Sequence, residues 1–208
     1  MFDELVKFFV VLLVVVEPLS LLPVLAGLTD GADDGYRRRM SIKAIGISSA
    51  VCLVFAAAGT TLLQLLGISV DAFKVGGGIL LFLLAIEMVF ARPSGVRSIT
   101  PGEDAEAHHR GDISVFPLAF PLIAGPGAIA TILLAFAGVS PGTLQFFAQV
   151  GVIVLVLAIT LGLMLLTGPV MRVIGVTGGA VLGRMLGVLL AALASQFVLD
   201  GIRGAMAS

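Results

Sequence analysis

The sequence predicts an all-α polytopic membrane protein with six transmembrane helices, arranged as a 3+3 inverted repeat in which helices 1 and 4 are broken. Two observations predict the class: 59% of the 208 residues are hydrophobic, and only 12% are charged. A third predicts the breaks, because the spacing of Pro18 and Pro23 in the first half recurs at Pro121 and Pro126 in the second. Soluble domains do not carry this composition, so the chain is expected to lie in a bilayer.

Six apolar stretches are long enough to cross a membrane, which takes about 20 residues per helix. They are residues 5–28, 42–66, 72–90, 113–138, 144–168 and 176–199. The first stretch is interpreted as a retained helix and not as a secretory signal. Asp3 and Glu4 stand where a signal has basic residues, and Glu17 and Pro18 interrupt its apolar run.

The predicted organisation is a first three-helix repeat at 1–91, a cytoplasmic linker loop at 92–112 and a second three-helix repeat at 113–208. The linker is rich in proline, glycine and charged residues. Because each half has an odd number of spans, the second half enters the membrane from the opposite side. Gly78-Ile-Leu-Leu in span three also matches Gly187-Val-Leu-Leu in span six, with chance similarity between leucine-rich helices as the alternative.

The positive residues predict the orientation of the chain. Nine of the twelve lie in alternate loops, namely Arg37, Arg38, Arg39, Lys43, Arg92, Arg97, Arg110, Arg172 and Arg184. Cytoplasmic loops carry an excess of lysine and arginine, so both termini are expected outside the cell.

The second break offers donors for an anion. Regular helix does not pass easily through Ala124, Gly125, Pro126, Gly127 and Ala128, so a new half-helix is expected to start here and run through Thr131. The free amides at its N-terminus would bind a carboxylate. The small side chains leave room for a compact ligand.

The first break offers acceptors for a cation. Pro18 and Pro23 lack amide protons, which frees carbonyl groups near Val14 and Leu19. Ser20 adds a hydroxyl group and Glu17 a carboxylate, so an ammonium group fits here. The alternative is that the prolines only kink two helices for packing.

Two carboxylates lie within predicted spans, where an ionisable group is costly and often functional. Glu17, beside the first break, is the predicted proton-coupling residue, with a structural hydrogen bond as the alternative. Glu87, near the end of span three, either contributes to coupling or reaches the cytoplasmic surface. Gln64, Gln149 and Gln196 are expected to form interhelical hydrogen bonds.

No cofactor or metal site is expected. The chain has one cysteine, Cys52, and its two histidines, His108 and His109, are adjacent and lack a spaced partner. An enzyme is not expected, because no spaced His/Glu motif or serine–histidine arrangement is visible. The net charge of −1 gives no attraction to nucleic acid. The expected partners are a small zwitterion and the lipid bilayer, and homo-oligomerisation is left open.

Four segments resemble the MarC family: the run from Pro121 to Thr131, the run from Glu17 to Thr29, the Arg37–Arg39 loop and the run from Ile68 to Phe82. The resemblance covers nearly the whole chain. It implies a six-span prokaryotic inner-membrane protein, similar to transporters of small neutral amino acids such as glycine or alanine. Family members usually have Asp or Asn at the position of Glu17, and Gly-Asn is frequent at Ser20-Leu21, so cation coupling stays open there.

The expected function is secondary transport of small neutral amino acids across the inner membrane, with proton coupling left open. Two alternatives are export of drugs or metabolites and a non-transporting accessory role. Export of amphipathic drugs would call for a wide, aromatic-lined cavity. The absence of tryptophan and the small residues at the breaks argue against such a cavity.

Overall fold

The computed structural model describes residues 2–90 and 112–207, and within these ranges it is all-helical. The predicted linker therefore lies outside the described residues, apart from Asp112. The eight helices described are α1 (Phe2–Val16), α2 (Pro18–Leu28), α3 (Asp34–Leu65), α4 (Val70–Phe90), α5 (Ser114–Ile123), α6 (Pro126–Phe136), α7 (Leu144–Leu165) and α8 (Thr167–Ala207). The predicted all-α membrane class is confirmed.

The described helices supply five candidate spans, or six if one bent pair is counted as a span. Helices α1 and α2 together form a candidate span, Phe2–Leu28, although Glu17 separates them. Helices α5 and α6 form the bent pair, with an angle of 53° between them. Both helices that were predicted to be broken therefore contain a break.

Two span boundaries differ from the prediction. Helix α3 begins at Asp34, well before the predicted residue 42, because the Asp33 carboxylate accepts a hydrogen bond from Tyr36 N at 2.8 Å and caps the helix. Helix α8 runs to Ala207, beyond the predicted end of span six at residue 199. Helix α8 continues beyond the predicted end because no proline or charge cluster stops it before Ala207.

The broken spans lie at the centre of the bundle. In the Phe2–Leu28 span 61% of the most apolar window is buried inside the protein, against 22 to 33% for the other four candidate spans. Helix α6 buries most of its residues against α1, α3 and α4. The unbroken helices thus surround the two breaks and shield them from lipid.

Helices α4 and α8 pack closely through glycines. A Cβ atom on Gly78 would lie 3.0 Å from the Ala194 carbonyl oxygen and 3.1 Å from Val198 N. A Cβ atom on Gly187 would lie 3.1 Å from Val89 N. Each helix thus presents a glycine to a valine of the other, as expected of small residues at membrane helix crossings. Such reciprocal contacts agree with a two-fold relation between spans three and six, and the inverted repeat stays a prediction.

Candidate functional site

The first break is a single residue, Glu17. Its backbone is left-handed, with φ 47° and ψ 62°, and its amide donates to the Leu13 carbonyl oxygen at 2.9 Å. A non-glycine residue in this region costs about 1–2 kcal/mol, so the surrounding structure must hold it there. Pro18 follows as the first residue of α2, a position where proline's missing amide proton costs nothing.

Pro23 does not break the helix, because α2 continues through it to Leu28. Its missing amide proton still deprives the Leu19 carbonyl of its usual helical donor. The two prolines that begin a half-helix are Pro18 and Pro126, the first of one pair and the second of the other. Equal proline spacing in the sequence therefore does not mean equal roles in the structure.

The second break lies at Ala124 and Gly125, as predicted. Helix α5 makes wide turns in which Ala124 N donates to the Ala119 carbonyl oxygen, five residues back, at 2.8 Å. Prolines at 117 and 121 cannot donate, which prevents a regular α-helix here. Gly125 is extended and packs directly under the Pro121 carbonyl oxygen, where a Cβ atom does not fit.

The N-terminus of α6 carries the predicted amide donors. Pro126 is its first residue, and Ile129 N is the first amide to close a helical hydrogen bond, to the Gly125 carbonyl oxygen at 3.0 Å. Among the described residues no side chain caps this end of the helix. The amides of Gly127 and Ala128, both buried residues, therefore form a partially positive end in the protein interior.

A small cavity of about 10 Å³ lies beside these amides. Its walls are Val15 of α1, Leu84 of α4 and, at the break, residues 121–123 and 125–128. Four of the predicted site residues, Gly125 to Ala128, thus line one cavity. The volume is about what one water molecule needs, so glycine or alanine does not fit until the walls move.

Glu17 and Ser20 face another neighbour. A Cβ atom on Gly183 of α8 would collide with Glu17 Oε1 and would lie 3.7 Å from Ser20 Oγ. Glu17 is only 8% exposed, and of the described residues neither it nor Ser20 lines the small cavity. The structure therefore does not bring the groups predicted to bind the substrate carboxylate and those predicted to bind its ammonium group into one cavity.

The remaining predicted residues are distributed differently. Ala124 is buried at the second break, next to the cavity. Thr131 Oγ1 donates to the Gly127 carbonyl oxygen at 2.8 Å, one helical turn from the break. Glu87 is half-buried on α4 and lies outside the described cavities. Within residues 2–90 and 112–207, no cluster of three or more His, Cys, Asp or Glu residues is placed to hold a metal ion.

The prediction missed three residues at the breaks. Val15 and Leu84 wall the cavity, but nothing in an apolar run distinguishes the residues that will meet across helices. Gly183, like Gly187, lies at a contact between helices. The spacing of the two glycines could not show that Gly183 leaves room for the Glu17 carboxylate.

Comparison with known proteins decides the family. The sequence model of the family described as "MarC family integral membrane protein" matches residues 2–206 of this chain. The chain belongs to the MarC family. A membrane protein of Methanocaldococcus jannaschii is 36% identical over 192 residues, which cover 92% of each chain. The inner membrane protein YhgN of Escherichia coli is 32% identical over 206 residues, 97% of each chain, and YvbG of Bacillus subtilis is 32% identical over 204 residues, 98% of this chain and 96% of YvbG.

No solved structure gives a significant match to this MarC protein. Its relatives include bacterial and archaeal membrane proteins, and the E. coli relative is named as an inner membrane protein. The protein is therefore an integral, multi-pass membrane protein, as the sequence predicted. The match over residues 2–206 also includes both broken spans, so the geometry of the breaks belongs to the part of the chain that is related to the family.

Proposed function

We propose that this MarC protein is a secondary transporter of small neutral amino acids such as glycine or alanine, located in the prokaryotic inner membrane. One observation carries the proposal: an uncapped helix N-terminus opens onto a cavity lined by small residues between two broken spans. Broken helices near the middle of a membrane are a common form of substrate site in transporters. Binding without chemistry is sufficient for this function, so no residue is assigned a catalytic role.

The Gly127 and Ala128 amides would hold the substrate carboxylate. They replace the basic side chain that an anion would otherwise need, at no cost of burying a full positive charge. The Pro121 carbonyl oxygen, beside Gly125, lies close enough to the break to serve as an acceptor for the substrate ammonium group. The small size of Gly125, Gly127 and Ala128 favours substrates with little or no side chain.

The described conformation corresponds to a closed site. A cavity of about 10 Å³ holds one water molecule, so entry of substrate requires movement of α1 or α4, which provide the Val15 and Leu84 walls. Alternating access is therefore proposed to move these helices relative to α6. Glu17 is the proposed coupling residue, because it is a buried carboxylate at the junction of two half-helices.

Counterflow tests the proposal with only the purified protein in liposomes. Vesicles loaded with unlabelled alanine should accumulate external radiolabelled alanine or glycine, and empty liposomes should not. Absence of counterflow in correctly folded protein would reject transport of these substrates. Co-purification of a stoichiometric membrane partner together with that negative result would favour the accessory role.

A further inference from the structure

A second, larger cavity of about 250 Å³ opens between the start of α1, the end of α6, the start of α7 and α8. This volume is far larger than that of the small cavity and exceeds what glycine or alanine requires. Its lining combines apolar groups with polar side chains that the proposed site at the breaks does not use. We call it the outer cavity, since it lies toward the end of the bundle where α1 begins and α8 ends.

Gln149 on α7 lines the outer cavity and carries an unsatisfied acceptor. Its Nε2 donates to the Ala135 carbonyl oxygen of α6 at 3.0 Å, and because a carbonyl can only accept, this bond fixes the orientation of the amide. The other atom, Oε1, is buried and has no hydrogen-bond partner among the described residues. Gln149 is 4% exposed, and leaving a buried acceptor unpaired costs about 1–3 kcal/mol. A ligand with N–H donors would remove that cost.

A positively charged side chain, that of Lys7, lies at the mouth of the outer cavity. Lys7 Nζ of α1 is 5.2 Å from the centre of the Phe197 ring of α8, and both side chains line the cavity. This cation–π contact holds a positive charge near the opening while leaving the ammonium protons available to an anion. The lining therefore presents a donor group near the mouth and an acceptor in the wall, the two kinds of group that a zwitterion needs.

The outer cavity and the small cavity lie along one seam. Val15 of α1 and Gly127 of α6 line the small cavity, and the residues one helical turn away, Val11 and Thr131, line the outer cavity. A shift of four residues along a helix is about 6 Å. A ligand in the outer cavity would therefore lie one turn from the break, separated from it by the packed side chains of α1 and α6.

We propose that the outer cavity is a second binding site for a small zwitterion, in which Lys7 pairs with the carboxylate and Gln149 Oε1 accepts from the ammonium group. The identity of the zwitterion as a small amino acid rests on the proposed transport function. The site would load substrate from the face of the membrane where α1 begins, before α1 or α4 moves to open the break.

Protection of an introduced thiol tests the site independently of transport. Gln145 lines the outer cavity, whereas its neighbour Leu144 is 74% exposed and does not. Gln145→Cys and Leu144→Cys variants in lipid nanodiscs are labelled with a thiol-reactive methanethiosulfonate, and the parent protein, whose Cys52 is buried, gives the background. Alanine should slow labelling at position 145 severalfold and leave position 144 unchanged. Acetate or ethylammonium alone, at the same concentration, should protect far less.

Lys7→Met removes the positive charge and keeps the aliphatic stem. It should raise the alanine concentration that gives half-protection by about tenfold, the value expected for losing one charged hydrogen bond. Lys74→Met is the matched control, because Lys74 bonds to Asp71 at 2.8 Å and does not line the outer cavity. Equal protection in wild type and Lys7→Met would overturn the assignment of Lys7 and with it the proposal.

Two further outcomes also reject the site. The proposal fails if alanine does not slow labelling at position 145 at concentrations that saturate counterflow. The proposed transport function would survive that result, because counterflow itself is observed. The proposal of a binding site fails as well if phosphatidylethanolamine in the nanodisc protects position 145 and alanine adds nothing, which would assign the cavity to a lipid headgroup. Protection by alanine without any counterflow would support the outer cavity and reject the transport function.

Discussion

The substitution Gly127→Ala separates ligand binding from folding at the break. The new Cβ atom would lie 3.0 Å from Leu84 Cδ2 and 3.1 Å from Val15 Cγ1. Both contacts are with the ends of flexible side chains, which can shift by a few tenths of an ångström, so the cost lies at the lower end of the 1–3 kcal/mol typical of overpacking, about 1 kcal/mol. Alanine also gains up to about 1 kcal/mol over glycine in a helix. The free energy of unfolding should therefore change by less than about 1 kcal/mol.

The effect on ligand binding should be much larger. The methyl group is about as large as the water-sized cavity beside the Gly127 and Ala128 amides, so it occupies the space that a carboxylate would use. We expect the apparent Kd for alanine in counterflow to rise at least about tenfold, or about 1.4 kcal/mol. Gly151→Ala is the matched control, since its Cβ atom meets no atom within 4 Å in the interior of α7.

Thermal unfolding in detergent and counterflow in liposomes should be measured on the same preparations. Gly151→Ala should transport like the wild type. If Gly127→Ala also unfolds and transports like the wild type, the substrate carboxylate does not bind at the α6 N-terminus. A large loss of stability in Gly127→Ala would instead show that the Val15 and Leu84 walls cannot yield, which contradicts the opening movement proposed for α1 and α4.

Three other predictions concern coupling, packing and charge. Glu17→Gln should abolish accumulation driven by a pH gradient while alanine counterflow continues, and retained pH-driven accumulation would reject coupling through this residue. Gly78→Ala should lower the free energy of unfolding by about 1–3 kcal/mol, because its Cβ atom meets rigid backbone of α8. Gly76→Ala is the control and should not lower it, because a Cβ atom at Gly76 meets open space. Equal stability of the two variants would contradict the close packing of α4 on α8. The Lys43 ammonium and the Ser114 hydrogen bonds lower the pKa of Asp112 from 3.8 to about 2. The contribution of the Lys43–Asp112 pair to the free energy of unfolding is therefore complete above about pH 4 and is lost as the pH falls through about 2. Carboxyl NMR should find the Asp112 midpoint near 2 in the wild type and higher in Lys43→Met, but still below 3.8, because the Ser114 hydrogen bonds remain. Less than about 1 kcal/mol of stability is at stake, since the pair is exposed.

The sequence predicted the membrane class, the helical fold and both breaks because these depend on local composition. Gly125-Pro126-Gly127 does not easily continue a regular helix, so the position of the second break could be predicted from these residues. The first break was harder to place. Either Pro18 or Pro23 could begin a half-helix, and the choice depends on how neighbouring helices hold Glu17 in its left-handed conformation.

Contacts between distant residues could not be predicted from one sequence. Gln149 was expected to bond between helices, and its bond from α7 to Ala135 of α6 confirms this. Gln196 instead bonds to Asp200 within α8, because its side chain is exposed and the residue four positions later lies on the same face of the helix. The Val15 and Leu84 walls and the outer cavity depend on helix packing, for which an apolar run carries no specific signal.

Gly125 and Gly127 differ in which substitutions their surroundings allow in related proteins. At Gly125 the Pro121 carbonyl oxygen excludes every side chain, so a glycine is required there in any relative that keeps this backbone, whatever its function. At Gly127 the nearest atoms are yielding side-chain ends, and a methyl group can be accommodated. If the Gly127 amide binds a carboxylate as proposed, alanine or serine at this position in other MarC proteins would mark lineages with an altered ligand. A constant glycine at position 125 would reflect only the backbone path.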